Sequence, residues 1–154
     1  MSESVWDYPR PPRVEPLGHG ARVEFDGVIV ARSESALRVL ETSHPPTIYF
    51  PRPDVRLESL TPSRGMTLCE WKGQASYFDI TGENRAAASA AWMYTDPLPA
   101  YRALKGYIAF YPGRVDACFI GEERATAQAG DYYGGWITAD ITGPFKGRST
   151  KGTR

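Results

Sequence analysis

The chain is poor in the residues that metal and redox chemistry demand. It has only two cysteines, Cys69 and Cys118, and two histidines, His19 and His44. Two cysteines cannot build a disulfide framework, and the pair reads as free thiols in a cytoplasmic protein. They also fail to supply the two Cys-x-x-Cys pairs of a closed zinc site, and both histidines fall in Pro/Gly-rich segments, so no metal and no cofactor are expected. Long apolar runs are missing too. The longest weakly polar stretch, Ala86 to Met93, falls far short of the ~20 residues that a membrane helix needs, so no membrane partner is expected. The opening Met-Ser-Glu-Ser-Val-Trp-Asp-Tyr carries two acids and lacks the apolar centre of a secretory signal. Asp-x-Asp, Gly-x-x-x-x-Gly-Lys and Gly-x-Gly-x-x-Gly are absent, which weakens any Mg²⁺-assisted phosphoryl or nucleotidyl transfer. The lack of a Gly-x-Ser-x-Gly elbow leaves a Ser-His-Asp triad unsupported.

Net charge is zero, with 18 basic and 18 acidic residues, but it is unevenly placed. Lys146, Arg148, Lys151 and Arg154 fall in the last nine residues, which contain no acid, so the first 145 carry 14 basic against 18 acidic groups, or −4. Such a body repels DNA, and no nucleic-acid partner is expected. Residues 146–154 read as a basic disordered tail.

What is present is proline, glycine and aromatic residues spaced for β-structure. At 154 residues and 42% hydrophobic, one domain is expected. Pro9, Pro11, Pro12 and Pro16 make residues 1–20 an extended arm, docked through Trp6 and Tyr8. Residues 21–145 form the domain. Arg22 to Asp26 alternates, Gly27 turns the chain and Val28 to Ala31 follows, which is a hairpin signal. Ser33 as an N-cap with Leu37 and Leu40 predicts a short helix ended by Pro45-Pro46. Thr47 to Phe50 reads as a strand, Asp54 to Leu57 as one helical turn, and strands follow around Leu68-Cys69, over Ala75 to Ile80 and over Ala91 to Tyr94. Asp96-Pro97 opens a second helix that Gly106 stops. Tyr107 to Tyr111 and Val115 to Ile120 predict a hairpin around Pro112-Gly113, and Ile137, Ala139 and Ile141 alternate as a late strand. The expected fold is a mainly β, antiparallel single domain with two short helices.

Two constellations carry chemistry. In Cys69-Glu70-Trp71-Lys72-Gly73, an ammonium turned back at Gly73 would favour the thiolate, whereas a straight strand puts positions i and i+3 on opposite faces and leaves Cys69 a buried apolar thiol. Tyr49, Trp71, Tyr77, Trp92 and Tyr94 lie on or beside predicted strands, where alternate side chains share a face. They are core unless several converge with polar groups such as Asp54 and Lys72, in which case they line a pocket.

Three spaced motifs tie these residues to a family. Tyr49-Phe50-Pro51 with Asp54-Val55, Cys69-x-Trp71-Lys72-Gly73 with Tyr77-Phe78, and Ala91-Trp92-x-Tyr94 with Pro97 together resemble the bacterial domain-of-unknown-function family numbered 427. The resemblance covers residues 20 to 125. It implies a β-tent, the fold of zinc-binding proteins such as methionine sulfoxide reductase B and of the ligand-binding domain of cereblon, and it brings a nucleotidyltransferase-like label. The reading is a ligand-binding site of Tyr49, Asp54, Cys69, Lys72, Tyr77, Trp92 and Tyr94 for a small planar or anionic molecule, with Asp54 accepting a hydrogen bond or orienting Lys72. The alternatives are a nucleotidyltransferase-like enzyme, and an interaction module that presents the Pro-rich arm or the aromatics of Tyr132 to Trp136.

Overall fold

A computed structural model describes residues 2–69, 72–127 and 134–145, with backbone alone over 64–69. The side chains of Cys69 and Trp71, the residues Tyr132 and Tyr133, and the tail 146–154 lie outside the described residues. The strands in chain order are β1 (Glu3–Ser4), β2 (Arg13–Pro16), β3 (Ala21–Phe25), β4 (Val28–Ser33), β5 (Leu37–Leu40), β6 (Thr47–Phe50), β7 (Leu60–Cys69), β8 (Gly73–Thr81), β9 (Ala86–Tyr94), β10 (Ile108–Phe110), β11 (Ala117–Ile120), β12 (Glu123–Ala127), β13 (Trp136–Ile137) and β14 (Ile141–Thr142).

They make a seven-stranded sheet ordered β2-β5-β6-β10-β9-β8-β7, a five-stranded sheet ordered β13-β12-β11-β3-β4, and a parallel ribbon of β1 with β14. Apart from that ribbon the pairings are antiparallel, and neither large sheet closes into a barrel. The alternation of β3 explains why the sheets stack. Ala21, Val23 and Phe25 are buried while Arg22 and Glu24 between them face out and pair with each other. Their buried face meets Ile48, Phe50, Ile108, Phe110 and Ile80 of the larger sheet, with Trp136 wholly enclosed among them.

Several expectations hold and several are corrected. The β3–β4 hairpin turns at Asp26 and Gly27, both with positive φ (52° and 78°), as a two-residue turn of type I′ requires. The helix expected after Ser33 is instead β5, hydrogen-bonded to β2 on one side and β6 on the other. Leu37 and Leu40 alone give a short helix little to bury, and the region before Pro45 is too short for a helix to persist without such packing, whereas two waiting strand edges satisfy every backbone group. Ser33 caps a turn, accepting from the Ser35 amide at 2.9 Å. The second expected helix is a 3₁₀ segment, Pro99–Leu104, followed by Gly106 at φ 76°. Two further 3₁₀ turns, Arg52–Asp54 and Leu57–Ser59, stand where one helical turn is expected. The hairpin expected around Pro112-Gly113 does not form: β10 lies between β6 and β9, and β11 lies between β12 and β3. Residues 111–116 carry the chain from one sheet to the other, tied by Tyr111 N to Ala90 O and Asp116 N to Glu24 O. The late strand is two short ones, broken by a turn that Ile141 N closes onto Thr138 O.

The Pro-rich arm is woven into this frame through β1 and β2. Arg38 holds Glu3 through two bonds of 3.1 Å and Glu15 at 2.8 Å, and the Tyr8 hydroxyl donates to Glu3 at 2.6 Å. Of the aromatics that the interaction-module reading would expose, Trp136 is wholly buried, whereas Trp6 of the arm is 54% exposed.

The ion pairs set the acid side of the stability profile. The Arg38 guanidinium beside Glu3 holds its carboxyl below the usual range; Asp26, Asp79 and Asp116 are lowered by the Asn84 backbone, Ser63 and Arg85 respectively. A carboxyl whose folded pKa lies below its unfolded value of about 4 stabilises the fold above that value and ceases to as pH falls through the folded one. The melting temperature is therefore expected to be level from pH 8 to about 5 and to fall below about 4. The slope should be shallow because Glu3 and Asp116 are each 40% exposed and their pairs are screened by water. Glu3→Gln should flatten that limb; a profile that instead rises towards acid would contradict these pairings.

Candidate functional site

The seven-stranded sheet has a second face, turned away from the five-stranded sheet, and its register places aromatic residues in one row. Leu37 pairs with Tyr49, Tyr49 with Ala109, Ala109 with Trp92, and Trp92 with Tyr77, so one row crosses β5, β6, β10, β9 and β8. Tyr94 lies two residues along from Trp92 on the same face, opposite Ala75. Since β10 separates Tyr49 from Trp92, the two rings meet only because Ala109 has nothing beyond a methyl group between them. Their centroids stand 6.0 Å apart, edge to face at 86°, and the Trp92 indole N–H donates to the Tyr49 hydroxyl at 3.2 Å. Tyr94 lies 6.4 Å from Tyr49.

Tyr111, just past β10, closes the row with its ring centroid 4.5 Å from that of Trp92. The Arg114 guanidinium stacks 4.2 Å over Tyr111 and donates to the Ser89 carbonyl at 2.7 Å. Gly134 lies so close to Trp92 that a Cβ there would overlap the outer edge of the indole. Tyr49, Tyr77, Trp92, Tyr94, Tyr111 and Gly134, with Thr47 and Lys72, surround a cavity of about 170 Å³.

Lys72 is the one cation among the described residues of that wall. It sits between β7 and β8, its carbonyl accepts from Leu98 N at 3.0 Å, and its side chain is only 10% exposed. Its ammonium stands 4.0 Å from the Glu41 carboxylate, a long and weak pairing. An ammonium buried beside aromatic rings, with a single acid at 4.0 Å among the described residues, can meet an oxyanion entering the cavity.

Of the seven residues singled out from sequence, Tyr49, Lys72, Tyr77, Trp92 and Tyr94 line this cavity. Asp54 stands elsewhere, at the end of a 3₁₀ turn, where it accepts from the Ser33 hydroxyl at 2.5 Å. The acid beside Lys72 is Glu41. Thr47, Tyr111 and Gly134 also belong to the wall. Thr47 shared a strand face with Tyr49 at a spacing of two, a signal the sequence carried; the place of Glu41 depends on β5 being a strand. Among the described residues no group of three or more His, Cys, Asp or Glu side chains is placed to hold a metal ion. Cys118 is enclosed between the sheets, and burial pushes its thiol pKa up, which makes it unreactive.

A family description, Domain of unknown function (DUF427), whose name carries a nucleotidyltransferase label, matches residues 13–121. No curated protein matches the chain in sequence. No helix of the described residues is long and apolar enough to cross a membrane.

Proposed function

The chain belongs to the DUF427 family, and from that premise we propose that it binds a small, planar, anionic molecule in the cavity walled by Tyr49, Tyr77, Trp92, Tyr94 and Tyr111, with Lys72 meeting the negative group. The observation that carries this reading is the convergence of one nearly buried ammonium with five aromatic rings around about 170 Å³ of space. A cavity near 150 Å³ is known to take one benzene ring, while sites for larger ligands run to about 300 Å³ and above. The size favours a single-ring carboxylate or a comparable oxyanion. A whole nucleotide would have to extend beyond it, which weighs against the nucleotidyltransferase reading. The two facing sheets fit the β-tent that the family implies, and the free thiol of Cys118 fits a reducing, cytoplasmic setting.

The test is thermal stabilisation by benzoate, nicotinate and orotate against benzamide and nicotinamide. The carboxylates should raise the melting temperature, approaching about 2.7 kcal/mol of stabilisation at a hundredfold excess over Kd. Their amides should bind at least tenfold more weakly. Lys72→Met keeps the aliphatic stem, should cost about 1 kcal/mol or less in stability, and should abolish the difference between acid and amide. Glu41→Gln removes the competing carboxylate and should tighten acid binding. Equal binding of acids and amides, or an unaltered preference in Lys72→Met, would remove Lys72 from the site.

A further inference from the structure

Strand β9 is irregular a short way before Trp92. Phe78 pairs with Ala91 and Ile80 with Ala87, so a single residue of β8, Asp79, faces the bulged stretch Ala88 to Ala90. Its middle residue, Ser89, has φ 47°, in the left-handed region that a residue with a Cβ rarely enters. Such a conformation persists only where its surroundings hold it, and Asp79 does so. Asp79 Oδ1 accepts from the Ser89 amide at 2.8 Å and from the Ser63 hydroxyl of β7 at 2.6 Å.

Bulges beside binding sites re-aim nearby groups, and here two bulge carbonyls serve Tyr111. Ala90 O accepts from the Tyr111 amide at 2.9 Å, which fixes the backbone. Ser89 O accepts from the Arg114 guanidinium at 2.7 Å, and that guanidinium stacks 4.2 Å over the Tyr111 ring. The turn closed by Arg114 N on Tyr111 O, at 3.0 Å, brings the two side chains together. Tyr111 in turn meets Trp92 at 4.5 Å between centroids, and both rings wall the cavity. Arg114 does not line it, so it acts on a guest through Tyr111.

We propose that Arg114 is a positioning residue of the aromatic site: anchored on the bulged Ser89, its guanidinium clamps the Tyr111 ring against Trp92 and thereby limits the guest to a single ring. This inference rests on the binding reading above and names what sets the size of the ligand. A guanidinium engaged through its plane and an N–H at once is not replaced by an ammonium. Without it the Tyr111 ring loses the layer packed on one face, swings from Trp92 and admits a larger guest.

Two measurements on the full chain test this, the first without ligand. NMR of ¹³C-labelled tyrosine should show the Tyr111 ring flipping about tenfold faster, or more, in Arg114→Met than in the wild type. Calorimetry then compares benzoate with 2-naphthoate. The wild type should favour benzoate by about tenfold or more, whereas Arg114→Met should bind the two within about threefold of each other. Benzoate should still bind better than benzamide in that variant, because Lys72 is intact. Arg114→Lys keeps the charge without the plane and should behave as Arg114→Met. Asp79→Ala, at a residue that does not line the cavity, should relax the size preference in the same direction by releasing Ser89. Unchanged ring flipping or an unchanged size preference in Arg114→Met would overturn the clamp, as would a wild-type preference in Arg114→Lys. Faster flipping with no binding of either acid by any form would instead overturn the pocket reading, and the size limit with it.

Discussion

Trp136→Ala should lower the unfolding free energy by about 4–5 kcal/mol, the largest loss expected for any single truncation. The indole is wholly enclosed between the sheets, 6.0 Å from Phe50, and its N–H donates to the Phe110 carbonyl at 3.3 Å. Removal therefore leaves a cavity and an unpaired buried carbonyl on the middle strand of the larger sheet. Against a total stability of about 5–15 kcal/mol this takes a large share. Trp136→Phe keeps most of the volume and should recover more than half of the loss. Urea denaturation decides it: a cost below about 2 kcal/mol for Trp136→Ala would mean that the enclosed core tolerates the void.

Trp92→Ala should cost less, about 3 kcal/mol, because one side of the indole already borders a cavity and the gap left behind merges with it. The lost bond to Tyr49 falls within that figure. The sharper expectation is non-additivity with Gly134. In the wild type a Cβ at Gly134 overlaps the Trp92 ring, so Gly134→Ala should destabilise. With Trp92 reduced to alanine the same methyl enters vacated space, and the substitution should become neutral or favourable. A double-mutant cycle should give a coupling of at least about 1 kcal/mol. Strict additivity would show that Gly134 does not lie against the indole.

How much of this was legible in the sequence depended on the range of the interactions. The β3–β4 hairpin was readable because Asp26-Gly27 encodes its turn locally. The aromatic row was readable in outline, since Trp92 and Tyr94, two apart, must share a face of any strand. The other members came from strands whose order is set by distant pairing. β10 entered the large sheet between β6 and β9, a placement that nothing in Ile108-Ala-Phe110 specifies. The segment 33–45 misled because Leu37 and Leu40 satisfy a helical spacing, while the two partner edges that make it a strand lie elsewhere in the chain. For the same reason Asp54 looked like the companion of Lys72: once β5 is a strand, Glu41 just beyond it reaches the ammonium and Asp54 is left with Ser33.

The parallel ribbon of β1 with β14 has a consequence for how the chain acquires its structure during synthesis. Glu3 N bonds Asp140 O, and Glu3 and Ser4 align with Ile141 and Thr142. Among the described strands, the first to be made therefore waits for the last. Arg38 can collect Glu15 as soon as β5 meets β2, but the satellite core of Val5, Tyr8, Leu40, Ile141 and Phe145 cannot assemble until almost all of the described chain has been translated. The seven-stranded sheet, whose last strand in the chain is β10, can pair well before the five-stranded sheet receives β13, and the ribbon of β1 with β14 closes after both.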